Sequence, residues 1–402
     1  MKSPDWRSPF IILLCGAIIL AISMGIRHGF GLFLQPMTDD LGWGRESYAL
    51  AMAIQNLVWG LSQPVAGRFV DRYGGGRVAF FGSLLYVAGL YLMSRTGSET
   101  ELIIGAGILI GLGLSGTTFP VVFSAISRVV PPEKRSWAMG VSTAMGSLGQ
   151  FLFLPGSNAL LQQFGWSSAL LILTAISALM IPLAISMRAD SHHAQSHISL
   201  PLGAILSEAA RHRDFWLLAL GYFVCGFQVV FIGVHLPAYL TDAGLTPGTG
   251  AVVLGLVGLF NVFGSYLAGL WGGRVSKPWL LTGIYSGRLV IIAIFLLLPV
   301  TTWSAYAFGM AMGLLWLSTV PLTNGIVATV FGVENMSMLG GIVFLFHQLG
   351  SFLGGWLGGY VYDLSGNYNL VWALCMALSV MAALLNLPIR ERPVARLAAE
   401  AA

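Results

Sequence analysis

Runs of about 20 apolar residues, the length an α-helix needs to cross a bilayer, recur from one end of this 402-residue chain to the other. No other feature limits its folding as strongly. In hydrocarbon every backbone N–H and C=O must be satisfied within the protein, so repeated spans of this kind fold as packed helices. Charged residues are 9% of the chain and apolar residues 56%, whereas an ordinary soluble domain carries about 25% charge. Breaks at charge, proline and glycine clusters predict twelve helices. In the first half they lie near 10–37, 46–67, 77–95, 101–128, 136–163 and 167–187; in the second, near 214–240, 248–272, 278–299, 303–330, 336–362 and 369–388. The expected organisation is an N-terminal six-helix bundle over 1–187, a polar linker over 188–213 and a C-terminal six-helix bundle over 214–402. The first apolar run continues past Gly25 into Arg27 and His28 instead of ending in a small-residue cleavage site, so it reads as a retained helix and not a signal peptide.

Charge placement orients these helices. Of 20 Lys and Arg, Arg27 and Arg288 fall inside predicted spans, and Arg45 and Arg95 fall on one side; the remaining sixteen fall on the other. The positive-inside rule makes that richer side cytoplasmic and places both termini there, as in a multi-pass protein of a bacterial-type inner membrane. The basic residues are scattered through short loops, which argues against nucleic-acid binding. Cys15, Cys225 and Cys375 lie far apart inside apolar segments and read as small buried hydrophobes. His192, His193 and His197 in the linker have no accompanying cysteine or carboxylate cluster, so no metal site is expected, and no cofactor. Neither a Ser-His-Asp set, an HExxH sequence nor a paired-acid constellation is recognisable, which argues against an enzyme.

The chain also repeats itself. Gly140, Gly149 and Gly165 recur at a shift of 201 residues as Gly341, Gly350 and Gly366, and Arg72 recurs at a shift of 202 as Arg274. Two six-helix halves in parallel repeat are related by a pseudo-two-fold axis along the membrane normal, with a binding site expected near mid-membrane between them.

Between the second and third predicted helices stands Gly67-Arg68-Phe69-Val70-Asp71-Arg72-Tyr73-Gly74-Gly75-Gly76-Arg77. It resembles the G-x-x-x-D-[RK]-x-G-[RK]-[RK] signature of the major facilitator superfamily. The resemblance implies a cytoplasmic gate built from Gly67, Asp71, Arg72, Gly74 and Arg77. Gly67 would allow close helix contact, and Asp71 would meet an arginine or a helix N-terminus of the other half. The second-half copy, Gly269 to Arg274, lacks the acid. Arg135-Ser-Trp-Ala-Met-Gly140, Gly146, Gly149, Pro155 and Phe164-Gly165-Trp166 are similar to the pattern of the monocarboxylate-porter and oxalate/formate-antiporter branch. That branch's substrate-binding arginine is expected in helix 8, where this chain offers Asn261. Its helix-1 lysine has a counterpart near Arg27 and His28.

Polar groups inside the spans indicate the cargo. An arginine at the bilayer centre costs on the order of 3 kcal/mol to insert, so it faces a cavity or a partner. Arg27 and Arg288 are such residues, and no Asp or Glu occupies the central part of any predicted span. A guanidinium without a fixed anion leaves room for a mobile one, held through two parallel hydrogen bonds. The expected substrate-binding set is Arg27, His28, Gln150, Gln228, Asn261, Arg288, Asn324 and His347. Gln55, Asn56, Asn158 and Gln348 are further candidates for lining the path. His28, His235 and His347 titrate near neutral pH and are candidate proton carriers. The expected function is secondary active transport of a small organic anion, a monocarboxylate, by alternating access with proton symport or anion exchange. The alternative is efflux of an amphipathic drug or metabolite by antiport. The expected partners are the anion, protons and the lipid bilayer, with no obligate protein partner.

Overall fold

The protein is seen here as a computed structural model that describes residues 9–127, 132–187, 202–332 and 336–394. Its first half holds α1 (Pro9–His28), α2 (Leu34–Leu41), α3 (Arg45–Tyr73), α4 (Gly75–Ser94), α5 (Glu99–Leu102), α6 (Ile110–Thr117), α7 (Phe119–Ser127), α8 (Pro132–Ala178) and α9 (Met180–Ser186). After the short α10 (Leu202–Arg211) come α11 (Arg213–Asp242), α12 (Pro247–Gly272), α13 (Lys277–Leu297), α14 (Thr302–Leu315), α15 (Thr319–Phe331), α16 (Met336–Ser365) and α17 (Asn369–Asn386). Prolines open α12 and α13, where a missing N–H costs no helical bond. A capping box of Thr301 and Ser304 opens α14.

Among the described residues, ten stretches are long and apolar enough to cross a membrane. One of them, Ala144–Ser186, runs 43 residues, more than twice a bilayer crossing. It is broken at Gly165, whose φ of 73° is open to glycine at little cost. The 29-residue α3 falls outside the ten because Gln55, Asn56, Ser62, Gln63 and Arg68 dilute its apolar character.

Several predicted boundaries shift. Helix 1 is not continuous over 10–37: α1 ends at His28 and a 3₁₀ turn, Phe30–Leu32, leads into α2. Helix 10 is interrupted between Leu315 and Thr319. The Gly67–Arg77 motif is not an extended loop. Gly67 to Tyr73 form the last two turns of α3, and Gly75 already begins α4, so the whole connection is Gly74 at φ 86°. The side chains of Asp71 and Arg72, and the linker residues 188–201, lie outside the described residues.

The sequence repeat has a packing counterpart. In α8, Gly149 lies directly on the backbone of Ala21 in α1; in α16, Gly350 lies directly on the backbone of Phe223 in α11. A Cβ at either place would overlap a carbonyl, so the repeated glycines are what let two helix backbones touch. Gly165 and Gly366 share positive φ, 73° and 70°. Tyr86 on α4 donates to Ser23 O at 2.9 Å, and Tyr285 on α13 donates to Gly221 O at 2.7 Å, tying each third long helix of a half to its first.

The two halves of the chain meet along α3 with α16 and α8 with α12. At one end Arg45 donates to both oxygens of Asp242, at 2.7 and 2.8 Å, and to Tyr368 at 2.9 Å. Asp363 of α16 accepts from the backbone N–H of Arg45 and Glu46, at 3.0 and 2.7 Å. A carboxylate from one half thus caps the first turn of a helix from the other, where orphan donors and the helix dipole both favour an anion. The α3–α16 seam continues from Gly44 against Asp363 to Gly60 against Gln348. Two turns further, a Cβ added at Gly67 would meet nothing within 4 Å among the described residues, and Leu61, Val65 and Phe69 are each at least half exposed. Among the described residues the close helix contact expected at Gly67 is absent in this conformation, whereas the seam is shut at the Arg45 end.

Candidate functional site

Where the closed seam stops, polar side chains collect. Arg27 is the penultimate residue of α1, and its guanidinium donates to Asn56 Oδ1 of α3 at 2.5 Å while its Cζ lies 4.9 Å from the centre of the Trp59 ring. Its Nε is buried without a hydrogen-bond partner among the described residues. No carboxylate among the described residues pairs with it; the described ion pairs are Arg45–Asp242 and Lys277–Glu391.

From Arg27 a chain of contacts crosses into the second half. Gln348 Nε2 donates to Asn56 O at 3.0 Å, and Gln348 Oε1 lies 3.0 Å from His347 Nδ1. Trp59 meets Phe344 edge-on at 5.3 Å, and Phe344 stacks on His347 at 5.7 Å. Tyr222 of α11 lies 4.7 Å from the same imidazole. Asn56 and Trp59 fall on one face of α3, and Phe344 and His347 on one face of α16, because residues three apart are neighbours on a helix. The result is a wall with an under-bonded cation on one side, aromatic faces across it and an imidazole on the other.

The remaining predicted residues divide by location. His28 Nδ1 lies 2.6 Å from Met24 O, one turn back in α1. Gln150 donates across the seam to Leu254 O at 3.2 Å. Asn261 accepts from Leu317 N at 3.0 Å and from Ser265, and lies 3.5 Å from Ser147 Oγ. Asn324 donates to Val320 O at 3.0 Å within α15. His235 is fully buried in the closed end, its Nε2 2.8 Å from Gly355 O and its ring 5.3 Å from that of Tyr368. Arg77 is exposed at the start of α4.

Arg288 is wholly enclosed, with 0% exposure. It donates to Leu315 O and Trp316 O, the carbonyls freed where α14 ends, and to Gln228 Oε1 at 3.1 Å; Cys225 Sγ is 3.5 Å away. Gln228 in turn donates to Ser379 Oγ and Cys375 O. In this conformation Arg288 and Gln228 serve protein groups. Cys225, expected to be an inert apolar residue, belongs to a polar cluster. Trp59, Phe344 and Cys225 are the site-forming residues that sequence reasoning missed. For the two aromatics a signal existed, three residues from Asn56 and from His347. For Cys225 there was none, because only the fold brings α13 against α11. Among the described residues no three His, Cys, Asp or Glu side chains lie close enough to hold a metal.

A helical chain with polar side chains collected where α1, α3 and α16 meet has counterparts among known proteins. The sequence profile of the Major Facilitator Superfamily matches residues 13–320, well over half of the chain. The chain belongs to that superfamily. It is 26% identical over 395 residues to a protein named monocarboxylate transporter 13 from Bos taurus, covering 96% of this chain and 91% of the relative. The oxalate:formate antiporter of Oxalobacter formigenes is 22% identical, with 96% and 93% covered. An uncharacterized MFS-type transporter of Bacillus subtilis, YcxA, is 25% identical, with 96% of each covered. The fold matches the crystal structure of a bacterial homologue of the human lysosomal transporter Spinster, described as inward-facing and unoccupied, with a TM-score of 0.73 at 16% identity, covering 96% and 95%. These relatives set the chain among multi-pass membrane transporters, not enzymes.

Proposed function

We propose that the chain is a secondary active transporter of a small organic anion, a monocarboxylate, moved by alternating access with proton symport or anion exchange. The observation that carries this reading is Arg27: a cation at the junction of the halves, with a buried unbonded Nε and no carboxylate partner among the described residues. A carboxylate reaching Nε and a terminal nitrogen would complete its fork, and the Trp59 and Phe344 rings would cover an apolar remainder. Relatives named for monocarboxylates and for oxalate and formate support the same substrate class.

The architecture that goes with this function is twelve transmembrane helices in two six-helix halves, 1–187 and 214–402, joined by the linker. A pseudo-two-fold axis lies along the membrane normal. The helices are counted from the ten stretches by adding α3 and dividing Ala144–Ser186 at Gly165. The protein sits in an inner membrane with both termini cytoplasmic, which makes the Arg45 end extracytoplasmic and this conformation inward-facing. The test is counterflow of a panel of radiolabelled acids in proteoliposomes at two pH values. Exchange of at least one small monocarboxylate is expected. Movement of amphipathic cations with no exchange of any acid would replace this reading with drug efflux.

Alternating access requires the Arg45 end to open. Asp242→Asn removes the charge opposite Arg45, weakening a charge-assisted pair of about 1.5–3 kcal/mol. That corresponds to roughly a ten- to hundredfold shift toward the opened form. Spin labels at Ser98 and Asn367, exposed in the loops of that end on opposite halves, are expected to move apart in Asp242→Asn. An unchanged distance distribution would show that the ion pair does not hold that end shut.

A further inference from the structure

A cavity of about 420 Å³ lies at the start of α11, the far end of that helix from Asp242. Glu208 and Arg211 of α10, His212 and Asp214 at the turn into α11, and Arg390 and Arg392 of the segment after α17 line it. Its two carboxylates are committed. Asp214 Oδ2 accepts from the backbone N–H of Arg390 at 3.1 Å, and Glu208 has a partner of its own. Its three guanidiniums are not. Among the described residues Arg211, Arg390 and Arg392 make no side-chain hydrogen bond or ion pair, and all three are exposed. His212 Nδ1 is buried and likewise has no hydrogen-bond partner among the described residues.

The segment that carries Arg390 and Arg392 is fixed by its backbone and by Glu391. Glu391 accepts from Lys277 N at 3.0 Å and from Lys277 Nζ at 2.7 Å, at the first turn of α13. Val394 N donates to Val330 O of α15 at 2.9 Å. With the bond from Arg390 N to Asp214, this strap joins the ends of α11, α13 and α15 and holds two arginines beside the third. The depth of the cavity follows from α11, whose membrane-crossing stretch begins at Arg213. Trp216 is 41% exposed, and its Nε1 donates at 2.8 Å to Ala210 O, next to Arg211. Leu220, one turn deeper, is also 41% exposed. An exposed indole with its N–H bonded, above an exposed apolar residue, marks the level where headgroups give way to acyl chains.

We infer that this cavity binds the phosphate group of an anionic phospholipid. Arg211, Arg390 and Arg392 are its donors, and Trp216 and Leu220 receive the start of an acyl chain. A guanidinium meets a phosphate through two parallel hydrogen bonds, and a basic pocket between helix ends at headgroup depth is suited to a lipid phosphate. The end concerned is the one that the proposed orientation makes cytoplasmic. A bound phosphate bridges α10 and the strap, so the lipid reinforces the tie between α11, α13 and α15. This site goes beyond the proposed function and does not depend on which molecule is carried.

The test uses delipidated full-length protein in a neutral detergent, titrated with phosphatidylglycerol, phosphatidylcholine or inorganic phosphate. Binding is counted by native mass spectrometry and stability is followed by melting temperature. Phosphatidylglycerol is expected to fill one saturable site and to raise the melting temperature. Phosphatidylcholine, whose trimethylammonium group offsets its phosphate, and inorganic phosphate, which has no acyl chain, are expected to do neither. Arg211→Gln, Arg390→Gln and Arg392→Gln combined should weaken phosphatidylglycerol binding about a hundredfold. Arg68→Gln, Arg213→Gln and Arg274→Gln combined remove the same charge from exposed positions outside the cavity and should leave binding unchanged. Should the first triple variant not fold, Arg392→Gln alone is expected to weaken binding about fivefold. Equal binding of phosphatidylcholine, or equal losses in the two triple variants, would overturn the site. An equal effect of inorganic phosphate would replace the lipid by a soluble anion.

Discussion

Arg27→Ala is expected to abolish binding of the carried acid while leaving the protein folded. Truncating one side of a buried charge pair costs about 2–5 kcal/mol, roughly 30-fold to several-thousand-fold in affinity. Folding should survive because Arg27 makes one protein hydrogen bond from its terminal nitrogen and leaves Nε unbonded. Its removal therefore orphans little beyond Asn56 Oδ1. Arg27→Lys keeps the charge but not the planar fork, so it should bind more weakly than the native protein and more tightly than Arg27→Ala. Binding is checked by quenching of tryptophan fluorescence, to which Trp59 at 4.9 Å from Arg27 contributes. Folding is checked by elution profile and melting temperature. Native affinity in Arg27→Ala would remove Arg27 from the anion site.

Gly350→Val is expected to have the largest effect on stability. A side chain there points at Phe223 O and at the backbone N of Phe227 in α11, so α16 and α11 would have to separate where their backbones touch. Overpacking costs about 1–3 kcal/mol where side chains can yield, and here the obstructing atoms are backbone. Little folded protein should be recovered in detergent. Gly149→Val, its counterpart in the first half, should behave alike against Ala21. Gly341→Ala is the control. It lies in the same helix with nothing within 4 Å of the added carbon, and should be neutral or stabilising by about 0.5–1 kcal/mol. Equal stability of Gly350→Val and Gly341→Ala would contradict the packing described.

These glycines show how the fold could be read from the sequence. Gly149 and Gly350 were visible as a repeat because the same backbone contact is made twice, once in each half. Apolar length located most helices. It failed at Gly29 and at Trp316 to Ser318, where a local turn interrupts an apolar run without a change in composition. It located α3 near 46–67 and stopped two turns short of Tyr73.

The site was legible in part for a related reason. Arg27 and His347 stand out because a charged or titratable group inside an apolar run demands an explanation. Hydropathy singles out Arg288 in the same way, yet its donors are taken by the freed carbonyls of a helix break that the sequence does not announce. Cys225 is chemically silent in an apolar run. Its polar partners come from α13 and α15 meeting α11, which no local pattern encodes.

The central claim is that the carried molecule is an anion recognised by its negative charge at the junction of the halves. It is tested most directly by counterflow with two probes of one shape, a small monocarboxylate exchanged by the native protein and its uncharged primary amide. The account predicts exchange of the acid and none of the amide, with the acid's exchange lost in Arg27→Ala. Equal exchange of acid and amide, or exchange of the acid unaltered in Arg27→Ala, would contradict it.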